Sequence, residues 1–292
     1  MHGISILRSF FIGLLLIPFL VEAQSDMPFG ARAAALGNAT VTIPDLWALH
    51  NNIAGIAGLT KPQIGAYAEN RFGVRAFTTT AFLGVYPTTN YGVYGISLSR
   101  FGDKLYNQQH IGVGAAHKLG QFSLGAKVDV WQIAVEGYGS KKAVTLSIGG
   151  QAEIVPGLYF GAHAYNLNQA KLADFEDERL PTIMKVGIGY MPYKKLLLLA
   201  ETEKNIDHNA TFKAGIEYQL FPDKFILRSG FQSLTNTLNF GAGFIARQFI
   251  VDYAFGNTTH LGNSHHLSVA YTFGSNSIVQ PVVTSPASIN PQ

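Results

Sequence analysis

Downstream of Lys61 the sequence divides into short runs in which apolar and polar residues alternate. The last of these runs spans 263–273, with apolar side chains at Leu267, Val269, Tyr271 and Phe273 and polar or small ones between them. A period of two places successive side chains on opposite faces of a β-strand. The repeated pattern therefore predicts a sheet with one apolar face and one polar face.

About fourteen such runs follow one another, with boundaries that are approximate by a few residues. They cover 62–71, 74–86, 91–100, 107–118, 121–135, 142–154, 158–167, 181–191, 194–204, 209–219, 224–233, 235–246, 248–256 and 263–273. Their typical length of about ten residues suits a tilted strand that crosses a bilayer. Every second connection is a tight turn and the intervening ones tend to be longer, which predicts short periplasmic turns opposite longer outer loops as in bacterial barrels.

Charged residues in these runs collect on the polar parity. An ion exposed to hydrocarbon costs several kcal/mol, so these side chains are predicted to face a water-lined lumen. Opposite charges are expected to neutralise one another there, Lys127 with Asp129 and Lys213 with Glu217. The run 196–199 is apolar at every position and leaves the face of Glu201 and Glu203 open. The lumen-facing charges are predicted to be Lys127, Asp129, Lys185, Lys213, Glu217 and Asp252.

Only 13% of the residues are charged, which fits a large surface in lipid. The fold class is therefore predicted to be all-β, a transmembrane antiparallel β-barrel of about fourteen strands over residues 61–273. Two alternatives remain: a barrel with a purely structural role and no transport, and a soluble β-sandwich adhesin.

The two ends of the chain differ from the barrel region. Arg8 precedes an apolar run at 10–21, and the motif Val21-Glu22-Ala23 is typical of signal-peptidase cleavage, so residues 1–23 are predicted to be a signal peptide. An uncleaved anchor helix is the alternative. Residues 274–292 are rich in serine and proline and indicate a flexible tail.

Residues 24–60 form a third kind of segment. Asp45 is a favoured helix N-cap, and apolar residues recur at helical spacing after it. The segment is either an N-terminal helix packed on a soluble core or a hatch that plugs the barrel. The apolar stripe consists of Leu46, Leu49, Ile53 and Ile56, and Gly55 and Gly58 are expected to end the helix.

The sequence gives little support for catalysis. The chain has no cysteine, which excludes thiol chemistry and disulfides. Strand parity is expected to keep Ser, His and Asp candidates apart, so the protein is predicted to be no enzyme and to need no cofactor or metal. A metal site at His260, His265 and His266 is disfavoured because adjacent strand residues point in opposite directions. An acidic loop at 174–178 is interpreted as solvated rather than as a calcium site.

The N-terminal segment resembles the FadL-like outer-membrane barrels, in particular the PorV and PorQ branch of type IX secretion proteins. The motif at 30–37, GARAAALG, is similar to that family's opening motif, and Asp45, Ala48 and the sequence NIAG at 52–55 are similar to its second motif, with Ile53 in place of the expected proline. The hatch residues that this resemblance assigns are Gly30, Arg32, Gly37, Asp45, Ala48, Asn52 and Gly55.

The resemblance implies a barrel in the outer membrane of a Gram-negative bacterium of Bacteroidetes type, with its N-terminal segment in the lumen. It implies a non-enzymatic secretion accessory whose partners are outer-membrane lipid, secretion-system proteins and cargo with a sorting domain, and no nucleic acid. The alternative that it implies is a FadL-type channel for hydrophobic small molecules. Arg32 is expected to dock the hatch on an inward acid such as Asp129 or Asp252.

Overall fold

A computed structural model describes residues 28–172, 179–259 and 261–274. The predicted signal peptide and all of the predicted tail beyond Gly274 lie outside these residues, as do His260 and the acidic positions at 174 and 176–178. Within them the chain forms a closed barrel of fourteen antiparallel strands that surrounds a short helical segment.

The strand boundaries agree with the predicted runs to within a few residues. The run at 74–86 starts late as a strand because Arg75–Phe77 forms a 3-10 turn. The strands are β1 Gln63–Asn70, β2 Thr78–Pro87, β3 Val93–Gly102, β4 Tyr106–Leu119, β5 Phe122–Val135, β6 Gly139–Val155, β7 Leu158–Tyr165, β8 Ile183–Tyr193, β9 Leu196–Asn205, β10 Thr211–Phe221, β11 Phe225–Gln232, β12 Thr237–Ala246, β13 Phe249–Thr258 and β14 Gly262–Thr272.

Each strand pairs with its sequence neighbours, and β1 closes the barrel against β14. The closing pair runs in register from Gln63 opposite Thr272 to Asn70 opposite His265. Closure leaves no strand edge unpaired, which is the condition for a sheet to lie in hydrocarbon, where no water can satisfy the backbone. The predicted fold class and strand count are confirmed.

The two faces of the barrel follow the alternation in the sequence. Outward side chains such as Leu124, Val113 and Leu267 are exposed, whereas their inward neighbours Lys127 and Ser268 are buried. An exposed apolar belt of this extent would be unfavourable in water and is favourable in lipid. No helix among the described residues is long and apolar enough to cross a membrane.

The apolar run at the start of β9 has a packing reason. Leu197 and Leu199 face inward and pack with Leu36 and Ile43 of the N-terminal region, while Leu198 faces out. Alternation in β9 therefore holds in the fold although both faces are apolar. Glu201 and Glu203, whose direction the sequence left open, are both buried on the inward face.

The loops at the two ends of the barrel differ less than predicted. One end of the barrel carries the connections 88–92, 120–121, 156–157, 194–195, 222–224 and 247–248. The other end carries 71–77, 103–105, 136–138, 166–182, 206–210, 233–236 and 259–261, of which only 166–182 is long. Strands β3, β4 and β6 extend at this second end, here called the loop end, and take up 101–102, 106 and 139–141, which the sequence pattern left between the runs.

Residues 28–59, here called the inner segment, contain α1 Ala31–Ala35, α2 Ala48–Asn51 and a 3-10 helix Ile53–Gly58. The single predicted helix after Asp45 is broken at Asn52, whose backbone is extended with φ −158°. The side chain of Asn52 donates to the carbonyl of Val41 and accepts from the N–H of Ala54. This break lets the apolar residues of both helices be buried while the chain changes direction.

Candidate functional site

The inner segment fits the barrel because inward glycines leave room for it. A Cβ at Gly95 would lie 2.5 Å from Leu49, and one at Gly161 would lie 2.3 Å from the carbonyl oxygen of Val41. Gly37, with φ +64°, would meet the backbone nitrogen of Phe231 at 2.5 Å. Side chains at these positions would displace the segment, so the glycine content of the strands is part of how the inner segment is accommodated.

Arg32 joins the inner segment to the barrel wall through ionic hydrogen bonds. Its Nε and Nη2 atoms each donate to Glu217 at 2.8 Å, in a bidentate pair, and Nη1 lies 3.3 Å from Asp45. Arg228 donates to the same Glu217 at 2.6 Å and to Asp252 at 2.7 Å. The expected contact of Arg32 with Asp129 or Asp252 was therefore wrong, because Arg228 occupies Asp252. We call Arg32, Asp45, Glu217, Arg228 and Asp252 the arginine cluster.

Burial governs the ionisation of Asp45 within this cluster. Loss of solvent raises the pKa of its carboxyl above the ordinary 3.8, and the nearby Arg32 guanidinium opposes this shift. The same carboxylate accepts a hydrogen bond from the N–H of Ala48 at 3.1 Å. Because α2 begins at Ala48 with Trp47 as its N-cap, Asp45 supports the turn before the helix and is not the N-cap that the sequence predicted.

A second ionic cluster lies on β8, β9 and β10. Lys213 donates to Glu203 at 2.6 Å and to Glu201 at 3.4 Å, so its predicted pairing with Glu217 was wrong. Glu201 also accepts from the backbone N–H groups of Thr40 and Val41, at 2.6 and 2.8 Å. Lys185 lies 3.7 Å from Glu203. These charges are buried and paired rather than solvated, because the inner segment occupies the space that the sequence argument had assigned to water.

Gly30 and Gly55, which the resemblance assigned to a hatch, lie at close contacts within the inner segment. A Cβ at Gly30, which has φ +101°, would lie 2.6 Å from the indole of Trp47. A Cβ at Gly55 would lie 2.6 Å from the Cβ of Ala48. The histidines of β14 diverge: His265 bonds outward to Tyr253 and His266 bonds inward to Tyr67. Among the described residues no three His, Asp or Glu side chains are grouped as metal ligands would be.

Ser99, His110 and Asp129 form a chain of hydrogen bonds across β3, β4 and β5. The hydroxyl of Ser99 lies 2.7 Å from Nδ1 of His110, and Nε2 of His110 lies 2.6 Å from Oδ1 of Asp129. Lys127 Nζ lies 2.7 Å from the same carboxylate oxygen. The expectation that parity separates such residues was wrong, because Ser99 is directly opposite His110 in the β3–β4 register and Asp129 is opposite Gly112, the next inward position on β4.

A cavity of about 530 Å³ lies above the inner segment at the loop end. Phe29 and His50 of the inner segment, whose rings stack at a centroid distance of 3.7 Å, border it, and Ser99 opens onto it. The lining is largely aromatic and aliphatic, and the charged residues among the described part of the lining are cations. Its remaining side chains include Phe101, Tyr106, Trp131, Ile133, Val135, Tyr138, Tyr165, Leu172, Leu180, Arg71, Lys141 and Arg179.

Several of these residues were not predicted from the sequence. Arg228 has the same inward parity as Gly230 in its run, so alternation alone could have placed it in the lumen. Ser99 and His110 also lie on inward parities, but their contact depends on the strand register, which a single sequence does not provide. The cavity depends on where the inner segment ends, and no local pattern gives that.

No protein-family model and no curated protein matches the sequence. Solved structures do match. The toluene transporter TbuX of Ralstonia pickettii has a TM-score of 0.66 at 13% identity, and the match covers 86% of this chain and 100% of that one. The monoaromatic hydrocarbon channel CymD gives 0.63 at 10% identity over 87% and 100% of the two chains. The toluene transporter TodX of Pseudomonas putida gives 0.62 at 12% identity over 84% and 97%.

At such low identity these matches show the fold. The chain shares the barrel of FadL-family hydrocarbon channels, which are outer-membrane proteins of Gram-negative bacteria. A FadL homologue of Pseudomonas aeruginosa belongs to the same set, with a TM-score of 0.61 at 13% identity over 84% of this chain and 98% of that one.

Proposed function

We propose that the chain is a FadL-type outer-membrane channel for hydrophobic small molecules. The observation that carries the proposal is the cavity at the loop end, which is lined by aromatic side chains and bordered below by the inner segment. Its volume of about 530 Å³ is within the usual range for small-molecule sites. The likeness of the fold to hydrocarbon channels supports the same reading.

The charges around the cavity favour ligands that carry an acidic group. The charged lining residues are Arg71, Lys141 and Arg179. Arg71 is paired with Glu69, at 3.0 and 3.2 Å, so part of this charge is already neutralised. Lys141 adds further positive charge, which attracts a carboxylate. Aromatic and medium-chain carboxylic acids are the ligands that combine both features.

In this proposal the inner segment acts as a hatch. Phe29 and His50 border the cavity, and the arginine cluster fixes the same segment to the wall below them. A ligand that passes from the cavity to the other end must move at least part of the segment. Passage is thereby coupled to the stability of the ionic contacts that hold the segment.

Tryptophan fluorescence tests binding at the cavity. The chain has two tryptophans: Trp131 lines the cavity, and Trp47 is buried in the inner segment. In a Trp47→Phe variant in detergent, decanoate and benzoate should quench Trp131 saturably. The matched Trp131→Phe variant, which retains Trp47, should show no saturable change. Equal linear quenching in both variants would contradict ligand binding at the cavity.

Charge variants test the preference for acids. Lys141→Gln should weaken binding of decanoate several-fold and leave binding of toluene unchanged. Lys195→Gln, at the opposite end of the barrel, is the control and should change neither. Uptake of labelled decanoate by cells that express the protein should exceed uptake by cells without it. Equal uptake with and without the protein contradicts the channel function.

The role as a type IX secretion accessory of the PorV or PorQ kind is a separate hypothesis. Its support is the resemblance at 30–37 and 45–55. A Bacteroidetes-type source and cargo with a sorting domain are parts of the same hypothesis. Crosslinking in native membranes followed by affinity purification tests it directly. Recovery of secretion-system proteins or sorting-domain cargo would support this role, and recovery of the barrel alone would count against it.

A further inference from the structure

We propose that Ser99, His110 and Asp129 form a hydrolytic site for carboxylic esters that enter the cavity. Ser99 is half-buried and lines the cavity, whereas His110 and Asp129 behind it are each only 1% exposed. A nucleophile at the surface of a ligand cavity, with its base and the partner of that base buried, is the arrangement that serine-based acyl transfer needs. This activity goes beyond transport and does not require it.

The hydrogen bonds fix the proton positions. Nε2 of His110 lies 2.6 Å from the Asp129 carboxylate and 3.4 Å from Nζ of Lys127, which itself contacts that carboxylate at 2.7 Å. The carboxylate only accepts, so the shorter contact assigns the proton to Nε2 as donor. Nδ1 is then the acceptor, and the Ser99 hydroxyl donates to it at 2.7 Å. The imidazole is therefore in the tautomer that can remove the serine proton. Serine proteases use the two ring nitrogens in the opposite order, but each nitrogen can act as base when the other is protonated.

Packing holds the imidazole in place. The ring of His110 stacks on Trp131 with centroids 4.6 Å apart and planes at 14°. Phe29 and His50 of the inner segment lie 6.1 and 5.5 Å from it on centroid distances. A ring restrained by stacking and by two hydrogen bonds cannot rotate away from Ser99 without losing these contacts. The base is thus held in place next to Ser99, and such positioning lowers the entropic cost of reaching the transition state.

The reaction balances with water as the only co-reactant. Ser99 Oγ attacks the carbonyl carbon of the ester, and its proton passes to Nδ1 of His110. The carbon–oxygen bond to the alcohol breaks, and the leaving alkoxide takes that proton and departs as the alcohol. A water molecule then gives a proton to His110 and attacks the acyl-serine, which releases the carboxylic acid and returns the proton to Ser99.

The cavity selects the ester and supplies a cation. Its aromatic lining suits aryl or medium-chain acyl groups. The backbone N–H groups around Ser99 are engaged in the strand ladder, so a side chain must stabilise the oxyanion. Arg71 lines the same cavity as Ser99 and donates to Glu69 through Nε and Nη2, so the proposal assigns the stabilisation of the oxyanion to the Nη1 atom of this guanidinium.

A fluorophosphonate probe and p-nitrophenyl butyrate test the proposal on the full-length protein in detergent. The probe should label Ser99, identified by mass spectrometry of the peptide, and the ester should release p-nitrophenol with an initial burst. Ser99→Ala should abolish labelling and lower the rate at least about 100-fold. Ser97→Ala is the matched control, since Ser97 lies two residues away on the same inward face, and it should retain both signals.

Asp129 is a positioning residue, and its role needs a separate readout. Asp129→Asn should slow labelling of Ser99 and move the pH midpoint of the labelling rate, which a merely structural residue would not do. Heat-dependent gel migration checks that each variant is a folded barrel. Absence of labelling at Ser99 in the folded wild type, or equal ester hydrolysis by wild type and Ser99→Ala, overturns the proposal. Ligand quenching of Trp131 stays measurable in Ser99→Ala, so loss of the hydrolytic site and loss of the channel can be told apart.

Discussion

Arg32→Ala should release the inner segment from the barrel wall. The substitution removes two buried hydrogen bonds of 2.8 Å to Glu217 and a part-buried one of 3.3 Å to Asp45. Breaking a buried ion pair costs about 3–5 kcal/mol, largely because the remaining charge is left unpaired. Glu217 keeps its 2.6 Å bond to Arg228, so we expect the lower end of this range, about 3 kcal/mol.

Such a loss has a measurable effect on the conductance of the barrel. About 3 kcal/mol corresponds to a change of roughly 150-fold in the ratio of released to docked segment. Single-channel recording in planar bilayers should therefore show openings in Arg32→Ala that are rare in the wild type. Arg32→Lys retains the charge but not the bidentate geometry, and it should give an intermediate opening frequency.

A double-mutant cycle identifies the contact responsible. Glu217→Gln in the Arg32→Ala background should add less than it does alone, because the two side chains share their strongest interaction. Conductance and denaturant midpoint in Arg32→Ala equal to those of the wild type would refute the reasoning. So would additivity of the two substitutions, since it would place the docking energy in other contacts.

Three further predictions follow from packing, titration and lipid exposure. Gly37→Ala should lower the free energy of unfolding by about 2–4 kcal/mol, because the added Cβ would lie 2.5 Å from Phe231 and the backbone is in a left-handed conformation. Denaturant titration measures the loss. Gly84→Ala is the control, since its Cβ would have its nearest contact at 3.7 Å, and it should be tolerated. The raised pKa of Asp45 means that the folded state holds this proton more tightly than the unfolded one, so its contribution to stability falls as pH rises from 3.8 through the raised pKa. Asp45→Asn should remove that part of the pH dependence, and unchanged curves would contradict it. Val113→Arg should destabilise the barrel in lipid by about 2–4 kcal/mol, measured against Val113→Ile as control.

The sequence predicted the barrel because the constraint on it is local and repeats. Each lipid-crossing strand must place apolar side chains outside and polar or small ones inside, so residues such as Leu124 and Lys127 reveal their faces without knowledge of any partner. The closing strand β14 shows the same code at His266 and Leu267. Strand number follows from counting such runs, and the count needed no long-range information.

Contacts inside the barrel could not be predicted in the same way. Lys213 was assigned to Glu217 because the two lie on one strand face, but Lys213 reaches Glu203 on β9 and Glu217 binds two arginines from other parts of the chain. Those pairings depend on register and on the path of the inner segment. The chain of hydrogen bonds from Ser99 to Asp129 was missed for the same reason.

The inner segment explains why so many charges can be buried inside this barrel. Glu201 accepts hydrogen bonds from the backbone N–H groups of Thr40 and Val41, and Glu217 accepts hydrogen bonds from Arg32. Two acids of the barrel wall therefore have hydrogen-bond partners in the inner segment rather than in water. If the segment leaves, these acids lose hydrogen bonds in a single step, and solvent must enter to replace them. In the proposed channel the wall and the segment would therefore form a two-state system in which the ionic contacts set the closed population. Any ligand that opens the path below Phe29 has to compensate for their loss with its own contacts in the cavity.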